Sequence, residues 1–137
     1  MSRLIPDSHR QKVAKRAGFR CEYCLLSESV SFYVFHIDHI KSLKHRGTNG
    51  LNNLAWCCPD CNFFKGADLG TFLEDDDEHL VRFYNPRKDI WSDHFAIEKG
   101  AIVAKTPIGK ATARILKFNH PDRLIFRRQL FELGQYP

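Results

Sequence analysis

No stretch of this sequence approaches the roughly 20 consecutive apolar residues that a membrane-spanning helix requires, so no membrane partner is expected. The opening residues, MSRLIPDSHRQK, lack the apolar core of a signal peptide, and a cytoplasmic location is the corresponding expectation. There is no internal repeat, no low-complexity stretch and no linker. At 137 residues the chain is too short for two full-sized domains. A disulfide framework is not expected either. The five cysteines fall mainly into two tight Cys-x-x-Cys pairs, which in a reducing compartment read as thiolate ligands.

What is present is the material of one modest globular core. Eleven Phe and two Trp supply enough bulk that a metal clamp would supplement the core rather than replace it; Trp56 and Trp91 read as core residues. The formal net charge of +5 favours a polyanionic partner without proving one. That charge is uneven: Glu74-Asp75-Asp76-Asp77-Glu78 reads as a solvated acidic loop, while Lys105 to Arg128 is rich in Lys and Arg.

Local signals divide the chain into elements. Ser8 reads as an N-cap for a basic helix over His9 to Ala17, stopped by Gly18. Residues 31–37, SFYVFHI, predict a strand ending at Asp38-His39. Residues 41–50 read as an exposed basic loop in which His45 and Arg46 are candidate phosphate contacts. Asn52 or Asn53 is expected to cap a turn of helix through Ala55, and another helix should start near Cys61 or Asn62 and end around Gly66. Beyond the acidic loop, LVRFY, HFAI and AIVA read as short strands, the last two as a hairpin. Thr106-Pro107 opens a helix to about Phe118, with Ile108, Ala111, Ile115 and Leu116 on one face, and a last helix runs from Pro121 to about Leu133. The expected architecture is α+β. Residues 1–70 bear the site, and residues 71–137, a short β-hairpin and two helices, pack against them as one compact domain.

Two Cys-x-x-Cys turns, Cys21/Cys24 and Cys58/Cys61, can complete a closed tetrahedral zinc site, which is structural because no position remains for substrate. Cys57 could replace Cys58 with a longer spacer; Cys58-Pro59-Asp60-Cys61 has the standard knuckle spacing, so Cys57 reads as a small buried residue. Between the pairs lie Asp38-His39 and Asn53, and Asn62 follows the last cysteine. A neutral His can deprotonate water near neutral pH. A carboxylate and an amide oxygen make a sparse oxygen site that suits Mg²⁺ or Mn²⁺. Neighbouring strand residues face opposite ways, so Asp38 and His39 can share one ion only if the chain bends there. His36 should share the face of Asp38 as a partly buried residue. On this division the cysteines carry stability and no catalysis, while Asp38, His39 and Asn62 carry catalysis and little stability.

Taken together, CEYC, HIDHI, NNL and CPDCNFFKG resemble the HNH endonuclease family in its four-cysteine zinc variety. The likeness covers about a third of the chain. It implies a ββα-metal core, HIDHI as the first strand and CPDCNFFKG as the closing knuckle and helix. By position it implies that His39 is the general base and that Asp38 and Asn62 are ligands of the catalytic divalent ion. Asn53 would brace the loop and hold the catalytic His. Asn62 stands where the family often has His and keeps an oxygen ligand. NPRKDIWSDHF and TPIGKATARIL look similar to the second half of small bacterial HNH proteins, which assigns them no role.

The function so implied is hydrolysis of DNA phosphodiester bonds, on duplex or branched DNA. The alternative is a zinc-stabilised nucleic-acid-binding module without turnover. Lys65 reads as a helix-end cation or a phosphate contact. Lys110, Arg114 and Lys117, followed by Arg123, Arg127 and Arg128, read either as a solvated helix face or as a DNA-backbone track. No residue set reads base edges.

Overall fold

The computed structural model describes residues 5–137. Helix α1 spans Asp7–Arg16 and starts earlier than Ser8 would have it. Pro6 holds the entry at φ −57°, its carbonyl accepts from His9 N and Arg10 N, and no side chain caps the helix. Asp7 instead places an acid in the first turn, where the helix dipole favours it. At the other end Arg16 reaches out to donate to Leu51 O (2.9 Å) and Leu54 O (2.6 Å), fixing the entry to the second strand.

The first strand is shorter than its composition suggests. Strand β1 covers His36–His39 and pairs antiparallel with β2, Leu54–Cys57, in the register His36↔Cys57 to His39↔Leu54. Because β2 has only four residues, the apolar run before β1 has no strand to pair with; Phe32, at 97% exposure, Tyr33 and Val34 project from the surface. The helical turn expected through Ala55 is a 3₁₀ turn over Leu51–Asn53 that runs directly into β2. All four residues of β2 are buried, and a fully buried strand has no alternation by which sequence could distinguish it from a helix. Helix α2, Pro59–Lys65, begins two residues before Cys61, because Cys58 serves as its N-cap and accepts from Cys61 N.

Two further ribbons follow: β3 (Gly70–Thr71) with β4 (Val81–Arg82), and, after the short helix α3 (Trp91–His94), β5 (Phe95–Glu98) with β6 (Ala101–Ala104). Of LVRFY only Val81 and Arg82 pair. The β5–β6 hairpin matches expectation and turns through Lys99 and Gly100, both at positive φ, as a two-residue turn between right-twisted strands requires. Helix α4 spans Pro107–Ile115 under a Thr106 side-chain cap and stops short of Phe118, with Lys117 at φ 52° breaking the helical path. Helix α5 spans Pro121–Glu132. Among the described residues no helix is long and apolar enough to cross a membrane.

One core joins these pieces. Tyr23 stacks edge-on against Tyr84, which packs on Phe95, and Phe95 meets Trp91 and Phe118. Polar ties cross the same boundary: Trp91 donates its indole N–H to Tyr23 O (2.8 Å), and Arg87 pairs with Glu22. Gly109 marks a close approach of α4 to the end of α3, since a Cβ there would lie 2.3 Å from His94 O. Gly109→Ala would gain up to about 1 kcal/mol of helix propensity, yet the clash should reverse the sign. A net loss of about 1–3 kcal/mol is expected in urea unfolding; a gain would mean that α4 sits further out.

Candidate functional site

Two Cys-x-x-Cys turns converge from different parts of the chain. The turn Cys21–Cys24 precedes β1 and is strapped to β2, with Glu22 N donating to Trp56 O and Glu22 Oε2 accepting from Trp56 N. The turn Cys58–Cys61 caps α2. All four sulfurs are buried and lie within 4.8 Å of one another, and Cys24 Sγ and Cys58 Sγ are 3.7 Å apart. A zinc tetrahedron with bonds of about 2.3 Å has edges of about 3.8 Å, so the set fits a structural zinc ion. Burial pushes the Cys21 and Cys61 thiols up, while hydrogen bonding to Cys21, Cys58 and Cys61 pulls Cys24 down. A dication on the four sulfurs would take the place of their protons and hold all four as thiolates. Cys57 stands outside the set, donates to Cys58 O, and is pushed up to about 11 by burial, as expected of an inert thiol.

Beside this centre lies an open cleft of about 400 Å³ whose lining includes Asp38, His39, Asn62, Ser42 and Lys44. The bend that would let Asp38 and His39 share one ion is not made between them: both are paired residues of β1, and the chain turns only beyond it, in a 3₁₀ turn over Leu43–His45. Asp38 is only 4% exposed; its Oδ2 accepts from Tyr23 OH (2.7 Å) and lies 3.1 Å from Lys65 Nζ. Burial raises its carboxyl above the ordinary value, and Lys65 and Tyr23 oppose that rise. His39 and Asn62 are half-buried. His39 Nε2 lies 2.8 Å from Asn49 Oδ1.

Asn53 occupies the base of the intervening loop. Its Oδ1 accepts from Lys41 N (2.8 Å), and its Nδ2 donates to Lys41 O (2.9 Å) and Thr48 O (2.8 Å). Its main chain accepts from Ile40 N. The chain doubles back so tightly that a Cβ on Gly47 would sit 1.6 Å from Lys41 O, which leaves room for glycine alone.

Several expected surface residues are elsewhere. Lys65 is 1% exposed rather than facing phosphate, and its ammonium donates to Asp38, His39 O and Ile40 O. An ammonium has three N–H donors, and all three are taken. Arg123 and Arg127 also point inward, so neither extends a basic track: Arg127 donates to Gly100 O and Asn119 Oδ1, and Arg123 contacts the cysteine cluster. For Arg123, burial would lower the guanidinium, but the Cys61, Cys24 and Cys58 sulfurs outweigh it and hold it above its ordinary value. Lys110, Arg114 and Lys117 are exposed on α4 and just past its end. Arg114 donates to Phe72 O and Thr71 Oγ1, and Lys117 lies over the Phe64 ring. His45 and Arg46 are exposed in the loop that borders the cleft, and Lys44 lines it. His36, expected to be partly buried, is exposed at the open end of the β1–β2 pair.

The match to known families falls on this region. Residues 21–68 match the model of the HNH endonuclease family. No curated protein and no solved structure matches the chain. The HNH segment takes in both knuckles, β1, β2 and α2, so the four-cysteine centre and the cleft both lie inside it. It supports a nuclease or nucleic-acid-binding function with a metal-binding cysteine cluster. Two side chains in the segment escaped sequence reasoning. Tyr23 looks like knuckle filler, and Asn49 is one polar residue in a polar loop; only the fold brings them to Asp38 and His39.

Proposed function

We propose that this protein is a divalent-metal-dependent HNH endonuclease that hydrolyses DNA phosphodiester bonds, with a structural zinc ion on Cys21, Cys24, Cys58 and Cys61. The observation that carries the reading is that Asp38, His39 and Asn62 open onto one cleft inside the HNH segment. In this reading β1, β2 and α2 form the ββα-metal unit, residues 1–70 are the nuclease core, and residues 71–137 are an extension packed on it.

The donors fit a hard cation. Among the described residues Asp38 Oδ1 accepts from Lys65 alone and keeps acceptor capacity, and the Asn62 amide would supply a second oxygen. A divalent ion held there, Mg²⁺ or Mn²⁺, would supply Lewis-acid stabilisation of the scissile phosphate and of the leaving oxygen. The Lys65 ammonium opposes a second cation at Asp38, and substrate phosphate would offset that repulsion.

His39 is the general base. Asn49 Oδ1 can only accept, so a bond to it fixes the proton on Nε2 and leaves the Nδ1 lone pair to take a proton from water. With the amide reversed the ring would carry its proton on Nδ1 and have no lone pair to offer. Asn53 acts one step back, tying Lys41 to Thr48 and thereby seating Asn49. Lys44, Arg46, Lys110, Arg114 and Lys117 are exposed cations, and His45 an exposed imidazole, that would meet the DNA backbone.

Plasmid nicking in Mg²⁺ tests this. His39→Ala should lower the nicking rate by about 10²- to 10⁴-fold at unchanged zinc content, and leaving out the divalent ion should do the same to the wild type. Equal rates in the two proteins would remove His39 from its role. The tie of Asp38 to Lys65 and Tyr23 is what a binding module without turnover would also show. DNA binding with no scission in Mg²⁺ or Mn²⁺ would favour that reading.

A further inference from the structure

We propose that Arg123, on α5 and outside the HNH segment, is a cationic member of the metal centre whose contact with the thiolates seals α5 over the bound ion. Its Nη2 donates to Cys61 Sγ at 3.1 Å and lies 3.8 Å from Cys58 Sγ. The guanidinium is not merely passing by. Its Nη1 donates to Leu116 O (2.6 Å) and Lys117 O (3.2 Å), its Nε lies 3.6 Å from Asp60 Oδ2, and the side chain is 10% exposed. It is therefore held in one orientation by the carbonyls that follow α4, aimed at the second knuckle.

Charge gives this placement its purpose. Four thiolates around a dication leave a net charge of about −2 in a buried place, and buried charge is tolerated only when paired and hydrogen-bonded. N–H···S bonds from a fixed guanidinium supply both, and they hold the second knuckle's sulfurs in place around the ion.

A second contact reaches the other knuckle. Tyr136, which is buried, donates its hydroxyl to Cys24 O at 2.7 Å, and Arg127 lies over its ring. Helix α5 and the segment after it thus touch both halves of the clamp, Arg123 at Cys58 and Cys61, Tyr136 at Cys24. Docking of α5 and retention of metal become one equilibrium. This inference rests on the four cysteines holding zinc and is independent of whether the cleft cuts DNA.

The test uses the full zinc-loaded chain and follows zinc release to a chromophoric chelator for wild type, Arg123→Gln, Arg123→Lys and Arg128→Gln. Arg128 is exposed on the same helix and serves as the control. Arg123→Gln should release zinc about tenfold faster or more, Arg123→Lys by less, and Arg128→Gln at the wild-type rate. Wild-type release from Arg123→Gln, or equal acceleration by Arg128→Gln, overturns the proposal. Should Arg123→Gln not fold, amide hydrogen exchange in the wild type decides. Faster exchange in α5 after zinc is stripped supports the proposal, and unchanged protection there overturns it. Wild-type protein that binds no zinc would overturn the metal reading beneath it.

Discussion

Asp38→Asn should both abolish nicking and lower stability by about 3 kcal/mol or more, whereas His39→Ala should abolish nicking at a cost of about 1 kcal/mol or less. The sequence alone suggests that both positions carry catalysis and little stability. The fold separates them. Asp38 is buried beside a lysine that is itself 1% exposed, so neutralising the carboxylate leaves an ammonium in the interior with no anion. His39 is half-buried, and the lost side-chain bond runs to Asn49. The double change Asp38→Asn with Lys65→Met isolates the cause, because it removes the stranded charge. It should recover part of the stability, about 1–2 kcal/mol, and none of the activity. Full recovery is not expected, since His39 O and Ile40 O lose their donor as well. Urea unfolding and nicking on the same preparations read both quantities. An Asp38→Asn protein as stable as the wild type would mean that Lys65 is not held by the carboxylate.

Cys58→Ala should lose its zinc and unfold the HNH segment, while its neighbour Cys57→Ala should keep the metal and cost about 1 kcal/mol. Structural zinc contributes about 10–16 kcal/mol to small domains that fold around it, as much as the whole stability of a typical domain. Losing one ligand therefore outweighs what the rest of the core can absorb. Cys57 is also buried, so burial does not distinguish the pair; membership of the sulfur cluster does. Zinc stoichiometry and thermal melts on the two variants give the answer. Retained zinc in Cys58→Ala with loss in Cys57→Ala would move the second knuckle back by one residue.

Spacing and capping made much of this legible in advance. The knuckles, the β5–β6 hairpin and the starts of α4 and α5 were marked by Cys-x-x-Cys, by Gly100 and by Thr-Pro and His-Pro pairs, which act on the local chain. The failures share a different cause. The run SFYVFHI has strand composition throughout, but the four residues of β2 decide how much of it pairs. Leu54–Cys57 is a strand because its partner is β1, and no periodicity announces that. Lys65 and Arg123 look like surface cations in one dimension; each is buried by an acceptor set drawn from distant segments. Asn49 and Tyr23 were invisible for the same reason.

Tyr23 sits between Cys21 and Cys24, and Lys65 ends the helix that Cys58 caps. Each knuckle therefore delivers one of the two groups that grip Asp38. This limits how far the cleft can be transplanted. A recipient scaffold given His36–Cys57 would receive Asp38, His39, Asn49 and Asn53 but neither group that orients the carboxylate. Extending the graft to Asn62 would still stop short of Lys65. The smallest portable unit runs from Cys21 to Lys65 with its zinc in place, and even that piece would arrive without Arg123.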